Sequence, residues 1–294
     1  MTSSSSHGRQ VTAAVADYVR DQPMLDWATA EAVSRRLPLW LVHAYEWQPG
    51  PVWAGRLRSV PDSVLQEAQV AAERQLADAV NECRSIEPGI EIAGSCTEGS
   101  VADVLVAASR HAELLVLGSA IEHRHRIGSL VQAVAERSLS PVAIVPAGQL
   151  PDRTARVVVG LDLRCDSDSS LAFAFEYAHR RQITLEAVTC WRPDLMDSES
   201  MLEPIVAAEQ AQVEQRLCDE LMPWRQKYPD VEVLASVLER TPVTGLIERA
   251  DGCGLLVLGR PGSHPVRAML GSVHLAVLRR ATCPVALVPA GQAG

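Results

Sequence analysis

The chain alternates short, unbroken apolar runs with longer stretches in which apolar residues recur every three or four positions. VTAAVA (11–16), LWLVHAY (39–45), EIAGSC (91–96), ELLVLG (113–118) and VAIVP (142–146) are runs of the first kind and predict strands. Between them, Leu25, Ala28, Ala32 and Val33 fall near one face of a helix over 24–36. A long helix is predicted over 61–84. Pro61 opens it, and its missing N–H costs little in a first turn. Helices follow at 101–109, where Ser100 and Asp103 suit a capping box, and at 129–138.

From residue 157 the same order returns. Strands are predicted at 157–162, 183–190, 231–237, 255–259 and 285–289, with helices at 168–180, 199–222 and 272–280. Thr241 and Pro242, as cap and first-turn residue, start one more helix. The strands are continuously apolar, so both faces of each are covered. That pattern belongs to a parallel sheet flanked by helices, an α/β fold.

The return is written in the residues themselves. PVAIVPAGQ at 141–149 is answered by PVALVPAGQ at 284–292, and AELLVLGS at 112–119 by CGLLVLGR at 253–260. A period of roughly 140 residues is too long for a solenoid and marks two homologous domains, each able to bury its own core. The expected layout is a disordered polar tail (1–8), a first domain (9–148), a linker (149–155) and a second domain (156–292).

Composition narrows the function classes. Thirty-six acidic against 27 basic residues give a formal charge of -9, so no global basic face suits nucleic acid. The seven cysteines lie far apart and include no CxxC pair, which leaves zinc and a redox dithiol without a signature. No apolar run approaches membrane-spanning length, and MTSSSSHGRQ has no apolar core of a signal peptide. A cytoplasmic protein that touches neither membrane nor nucleic acid is expected.

Ligands of open α/β sheets bind beyond the carboxyl ends of the strands. In the second half, Asp162 ends the first strand, Gly259 and Gly262 follow the fourth, and Gly271-Ser272 opens a helix. Glycines let a backbone approach closely, and exposed N–H groups at a helix start suit phosphate oxygens. The same glycines could also merely turn the chain. GxxxxGK[ST] is absent, and GxGxxG does not follow the first strand, so neither a Walker-type nor a standard dinucleotide site is present.

These marks resemble the universal stress protein family in its tandem form. They are VVVGLD (157–162), VHAYE (42–46), LLVLG before a glycine loop, GSV (271–273) and CPVALVP (283–289). The family pattern is G-x2-G-x9-G-[ST]. Here Gly259-x2-Gly262-x8-Gly271-Ser272 is one residue short. The resemblance implies two tandem Rossmann-like (HUP-type) domains, each a five-stranded parallel sheet of order 3-2-1-4-5. It implies ATP as ligand, with Mg or Mn as an accompanying ion. Asp162 would then lie beside the nucleotide and backbone around Cys190 would meet adenine. Gly259, Gly262, Gly271, Ser272 and Val273 would hold ribose and phosphates.

The corresponding candidates in the first half are Asp17, Ala44, Gly118, Gly128 and Ser129. There Ile121 stands where the second glycine belongs, and the loop is three residues short. Glu122-His123-Arg124-His125-Arg126 fills that loop, as cations for phosphate or as a solvated charged segment. His123 and His125 form an HxH pair without further ligands. His43 reads as a satisfied core or rim histidine, and His274 as a packing or surface residue. Trp47 and Trp53 could cover a nucleotide or simply pack their loop. No Ser-His-acid or Cys-His set is readable. The expected function is non-catalytic, ATP-binding stress-response regulation. The alternatives are a scaffold with empty sites, or a slow metal-dependent ATPase. An adenine nucleotide and an unidentified regulatory protein are the expected partners. The fifth-strand edges are expected to pair, within the chain or across a homodimer.

Overall fold

A computed structural model describes residues 9–45, 62–119, 129–152, 154–192, 203–260 and 270–291. Contacts divide these into two units, up to Gly148 and from Gln149 onward. The first unit runs β1 (Gln10–Ala14), α1 (Gln22–Arg35), β2 (Leu39–Tyr45), α2 (Asp62–Ile86), β3 (Ile92–Glu98), α3 (Val101–Ala108), β4 (Ala112–Gly118), α4 (Ser129–Arg137) and β5 (Val142–Val145). The second runs β6 (Val157–Leu161), α5 (Asp168–Arg181), β7 (Leu185–Trp191), α6 (Glu203–Lys227), β8 (Val233–Glu239), α7 (Pro242–Ala250), β9 (Leu255–Arg260), α8 (Ser272–Leu278) and β10 (Val285–Pro289).

The strand order is β3-β2-β1-β4-β5-β10-β9-β6-β7-β8, one sheet of ten. This corrects the expectation of two separate five-stranded sheets. VAIV and VALVP carry no charge, and a sheet that ended on such strands would leave a row of N–H and C=O groups unpaired. Within each unit the strands pair in parallel. The strands nearest the centre of each unit are fully buried: Val11, Leu114, Leu115 and Val116 in one, Val157, Val158, Val159 and Val257 in the other. The outermost, β3 and β8, are only half covered, which is why EIAGSC and VEVLASV mix polar residues into their runs.

Two local expectations change. Ser100 caps α3 without a side-chain bond to a backbone amide, and Asp103 instead meets the Arg137 guanidinium at 2.6 Å. A charged partner outbids the cap geometry. Helix α6 continues through Pro223 to Lys227. An interior proline costs about 3 kcal/mol. Beyond it, Trp224 and Tyr228 stack against Phe175 with centroids 5.9 and 5.8 Å away, and Leu217 and Leu221 are fully buried before it. Those apolar contacts offset the lost hydrogen bond.

Candidate functional site

In the second unit, Leu161 pairs with Thr189 on β7, and Gly160 with Leu258 on β9. Asp162, Cys190 and Gly259 therefore stand one step further on, along a single rim at the strands' carboxyl ends. The Thr189 hydroxyl donates to the Leu161 carbonyl at 3.0 Å and fixes this corner. The Asp162 carboxylate takes two bonds from the Arg164 guanidinium, at 2.9 and 3.1 Å, and one from its amide at 3.2 Å. Arg164 is the main reason Asp162 titrates below the usual carboxylate range. Arg164 itself is almost wholly exposed, so a cation stands at the rim.

Cys190 offers the rim only its backbone. Its thiol faces α7, where a Cβ on Gly245 would lie 2.6 Å from Sγ. Burial pushes that thiol up, so it is no ready nucleophile. Across the rim, Gly271, Ser272 and Val273 open α8, the first two exposed. That helix has seven residues, so individual amides rather than a macrodipole would have to hold an anion.

His274 is the residue that sequence reasoning set aside. Its Nε2 lies 2.9 Å from the Gly259 carbonyl, which can only accept, so Nε2 carries the proton. The contact ties the end of β9 to α8. Burial holds the imidazole below its ordinary pKa and therefore neutral. Nδ1 is then a lone-pair acceptor, buried and without a partner among the described residues. The Trp191 indole N–H at the end of β7 is likewise buried and unpartnered among them. A histidine two positions after the Gly-Ser pair was the available signal.

The first unit builds its rim differently. Strand registers match Val11 to Val157: they pair with Leu39 and Leu185 on one side and Leu114 and Leu255 on the other. By that register Ala44 matches Cys190, and Ala16 matches Asp162. Asp17 stands one residue later. Its carboxylate accepts from the amides of Val19 and Arg20 at 3.0 and 3.3 Å, closing its own loop. His43 matches Thr189, and its Nδ1 meets the Val15 carbonyl at 2.9 Å. It is buried and satisfied, as the apolar strand around it predicted.

Asp21, which the sequence reading passed over, dominates this rim. Its Oδ2 accepts from the Ala16 and Asp17 amides at 2.7 and 3.0 Å. Its Oδ1 lies 3.3 Å from where a Cβ on Gly118 would stand, so a carboxylate occupies the end of β4. Burial pushes Asp21 above the usual range, against the pull of the two amides. Ser167 holds the matching place in the second unit, and there the Gly259 position faces the Ser170 hydroxyl at 3.5 Å. Ser129 opens α4 and is exposed. Gly128 and Gly262 lie outside the described residues, as do Ile121, the 122–126 charged segment, Trp47 and Trp53.

Among the described residues, no group of three His, Cys, Asp or Glu side chains could hold a metal ion. Asp162 alone suits a divalent cation only in company with phosphate oxygens. No helix among those residues is long and apolar enough to cross a membrane.

The sequence matches the universal stress protein family over residues 9–146 and again over 154–289. It is 30% identical to a universal stress protein of Mycobacterium tuberculosis (strain H37Rv) over 282 residues, 88% of this chain and 90% of that one. A universal stress protein of Mycolicibacterium smegmatis is 29% identical over 276 residues, covering 89% and 90%. A crystal structure of a universal stress protein from Archaeoglobus fulgidus shares the fold, with a TM-score of 0.72, 17% identity and coverage of 98% and 99%. The chain belongs to the universal stress protein family, with two tandem family domains.

Proposed function

We propose that the second unit binds an adenine nucleotide, ATP, and that occupancy regulates the protein's interactions without turnover. One observation carries this reading. The rim that joins Asp162, Cys190 and Gly259 holds an exposed guanidinium and two buried polar atoms without a partner among the described residues, Trp191 Nε1 and His274 Nδ1. Buried polar groups normally find partners, so a polar ligand that supplies them is favoured there. Arg164 provides charge for phosphate, and family resemblance points to ATP. Magnesium or manganese would arrive with the phosphates and meet Asp162, screening charge between them.

Catalysis has little support from Asp162. A carboxylate engaged by a guanidinium and held below its usual pKa is a poor general base at neutral pH. Binding alone can regulate if the nucleotide prefers one conformation or one partner complex over another. Calorimetric titration with Mg–ATP, together with extraction of nucleotide from purified protein, tests the proposal. One ATP per chain, and ADP release no faster than the protein-free blank, are expected. Absence of both binding heat and extractable nucleotide would leave a scaffold. ADP release that Asp162→Ala abolishes would make the protein an ATPase.

A further inference from the structure

Two of the seven cysteines, 30 residues apart in sequence, meet at the amino ends of β9 and β10. Cys253 Sγ lies 3.4 Å from Cys283 Sγ, and both side chains are fully buried. Strand register brings them there: Val285 pairs with Leu256, and the Leu256 amide donates to the Pro284 carbonyl at 2.9 Å. The backbones are thus already fixed side by side. A disulfide bond is about 2.05 Å long, so each sulfur has to move less than about 1 Å. Two thiols alone do not complete a metal site. The first unit has Ala112 and Ser140 at the matching places, so the pair is peculiar to the second.

We propose that Cys253 and Cys283 form a reversible disulfide when the protein meets a hydroperoxide, making this end of the second unit an oxidation site. Cys283 attacks first. Its sulfur bonds one peroxide oxygen as the O–O bond breaks, giving a sulfenic acid. The departing hydroxide (alkoxide, for an organic hydroperoxide) takes the proton that Cys283 released and leaves as water (or alcohol). The Cys253 sulfur then attacks the sulfenic sulfur. The S–S bond forms, the S–O bond breaks, and the hydroxyl leaves as water with the Cys253 proton. Two thiols are oxidised by two electrons and one peroxide is reduced.

The order of attack follows from the contact. The Cys253 thiol donates toward the Cys283 sulfur. That bond is the main cause holding Cys283 below the ordinary thiol range and pushing Cys253 far above it. Access comes from the turns. Each cysteine follows an exposed residue, Gly252 or Thr282, and Gly252 has a left-handed φ of 67°. Local opening of these turns admits a small oxidant while the strands stay paired.

The test uses the full chain carrying Cys165→Ser and Cys218→Ser, which removes the two exposed thiols. Hydrogen peroxide is added, free thiols are alkylated, and the protein is digested without reductant for mass spectrometry. A cross-linked peptide joining Cys253 to Cys283 is expected, with a raised Tm that dithiothreitol reverses. Cys253→Ser should accumulate a dimedone-reactive sulfenic acid at Cys283, and Cys283→Ser should leave Cys253 unmodified. Recovery of both cysteines alkylated, after peroxide that fully oxidises Cys165 and Cys218 in the parent protein, overturns the proposal. So does preferential cross-linking of either to another cysteine. No nucleotide is present, so the outcome is independent of the ATP-binding reading.

Discussion

The two units carry the same strand-end rim with opposite electrostatics. In the second, Asp162 lies outward under Arg164, the Ser170 hydroxyl of the α5 first turn faces Gly259, and Ser167, at the Asp21 place, donates its hydroxyl to the Glu220 carboxylate. In the first, Ala16 takes the Asp162 place and the Asp21 carboxylate reaches in to hold two loop amides beside Gly118. Amides that an internal carboxylate already holds are not free for a phosphate, and its charge repels one. On the proposed reading, one duplicated fold has kept a rim open to an anion and filled the other with its own acid. On that reading, a change of residue at a helix start would decide ligand binding while the strand registers of the two units stay matched.

The comparison can be broken most forcefully at Asp162. Losing a charged contact to a ligand costs about 1.5–3 kcal/mol. Asp162→Ala should therefore weaken Mg–ATP binding about ten- to hundredfold. Without the metal the loss should vanish, because the carboxylate then only repels phosphate. Calorimetry with and without chelator reads both, and equal losses in the two conditions would remove the metal-bridging role.

Next is a packing exchange. Val104 and Gly245 occupy the same turn of α3 and α7, each donating its amide to the capping residue, Ser100 or Thr241. Cys190 lies against Gly245, and register puts Ala44 at the Cys190 place, so the two positions read alanine and valine in one unit where they read cysteine and glycine in the other. Gly245→Val should cost about 1–3 kcal/mol by overpacking. Adding Cys190→Ala should recover most of that in a denaturant titration, and a double variant no better than the single would disprove the pairing.

A gentler change sharpens the contrast from the other side. Asp21→Ser installs the second unit's residue in the first. The two amides lose their charged acceptor, at a cost of about 1–3 kcal/mol. In return a second, weaker ATP should bind. If stoichiometry stays at one, the Asp21 carboxylate is not what closes the first rim.

The smallest effect is in pH. Burial raises Asp21 above the ordinary aspartate value, and the Arg164 guanidinium lowers Asp162 below it. A raised acid binds its proton more tightly folded than unfolded, so its contribution falls as pH rises through the folded value. A lowered acid stabilises above the unfolded value and loses that as pH falls. The Tm of Asp21→Asn relative to the parent should climb from about pH 3 to about pH 7, and that of Asp162→Asn should decline. Parallel slopes would contradict the assignment.

Much of this was legible in the residues. Unbroken apolar runs such as LLVLG mark central strands because both their faces are covered, and the repeated PVAIVP and PVALVP fixed the duplication. The place of Asp162 at the strand end was readable because it directly follows such a run. Asp17 drew attention for the same reason, yet strand pairing, not proximity to an apolar run, sets which residue reaches the rim. Asp21 was hidden because an acid before a helix reads as an ordinary cap. The Cys253–Cys283 contact comes from parallel register across 30 residues, a separation at which no spacing rule applies.

The reversed bulk at Ala44–Val104 and Cys190–Gly245 also bears on how the duplicate halves can diverge. Genetic recombination between them, with a crossover that joins the second half's β7 to the first half's α3, would bring a valine against a thiol that needs a bare backbone. Segments transferable without harm are those that carry strand and helix together. The halves are therefore expected to drift apart in blocks, each block inherited whole.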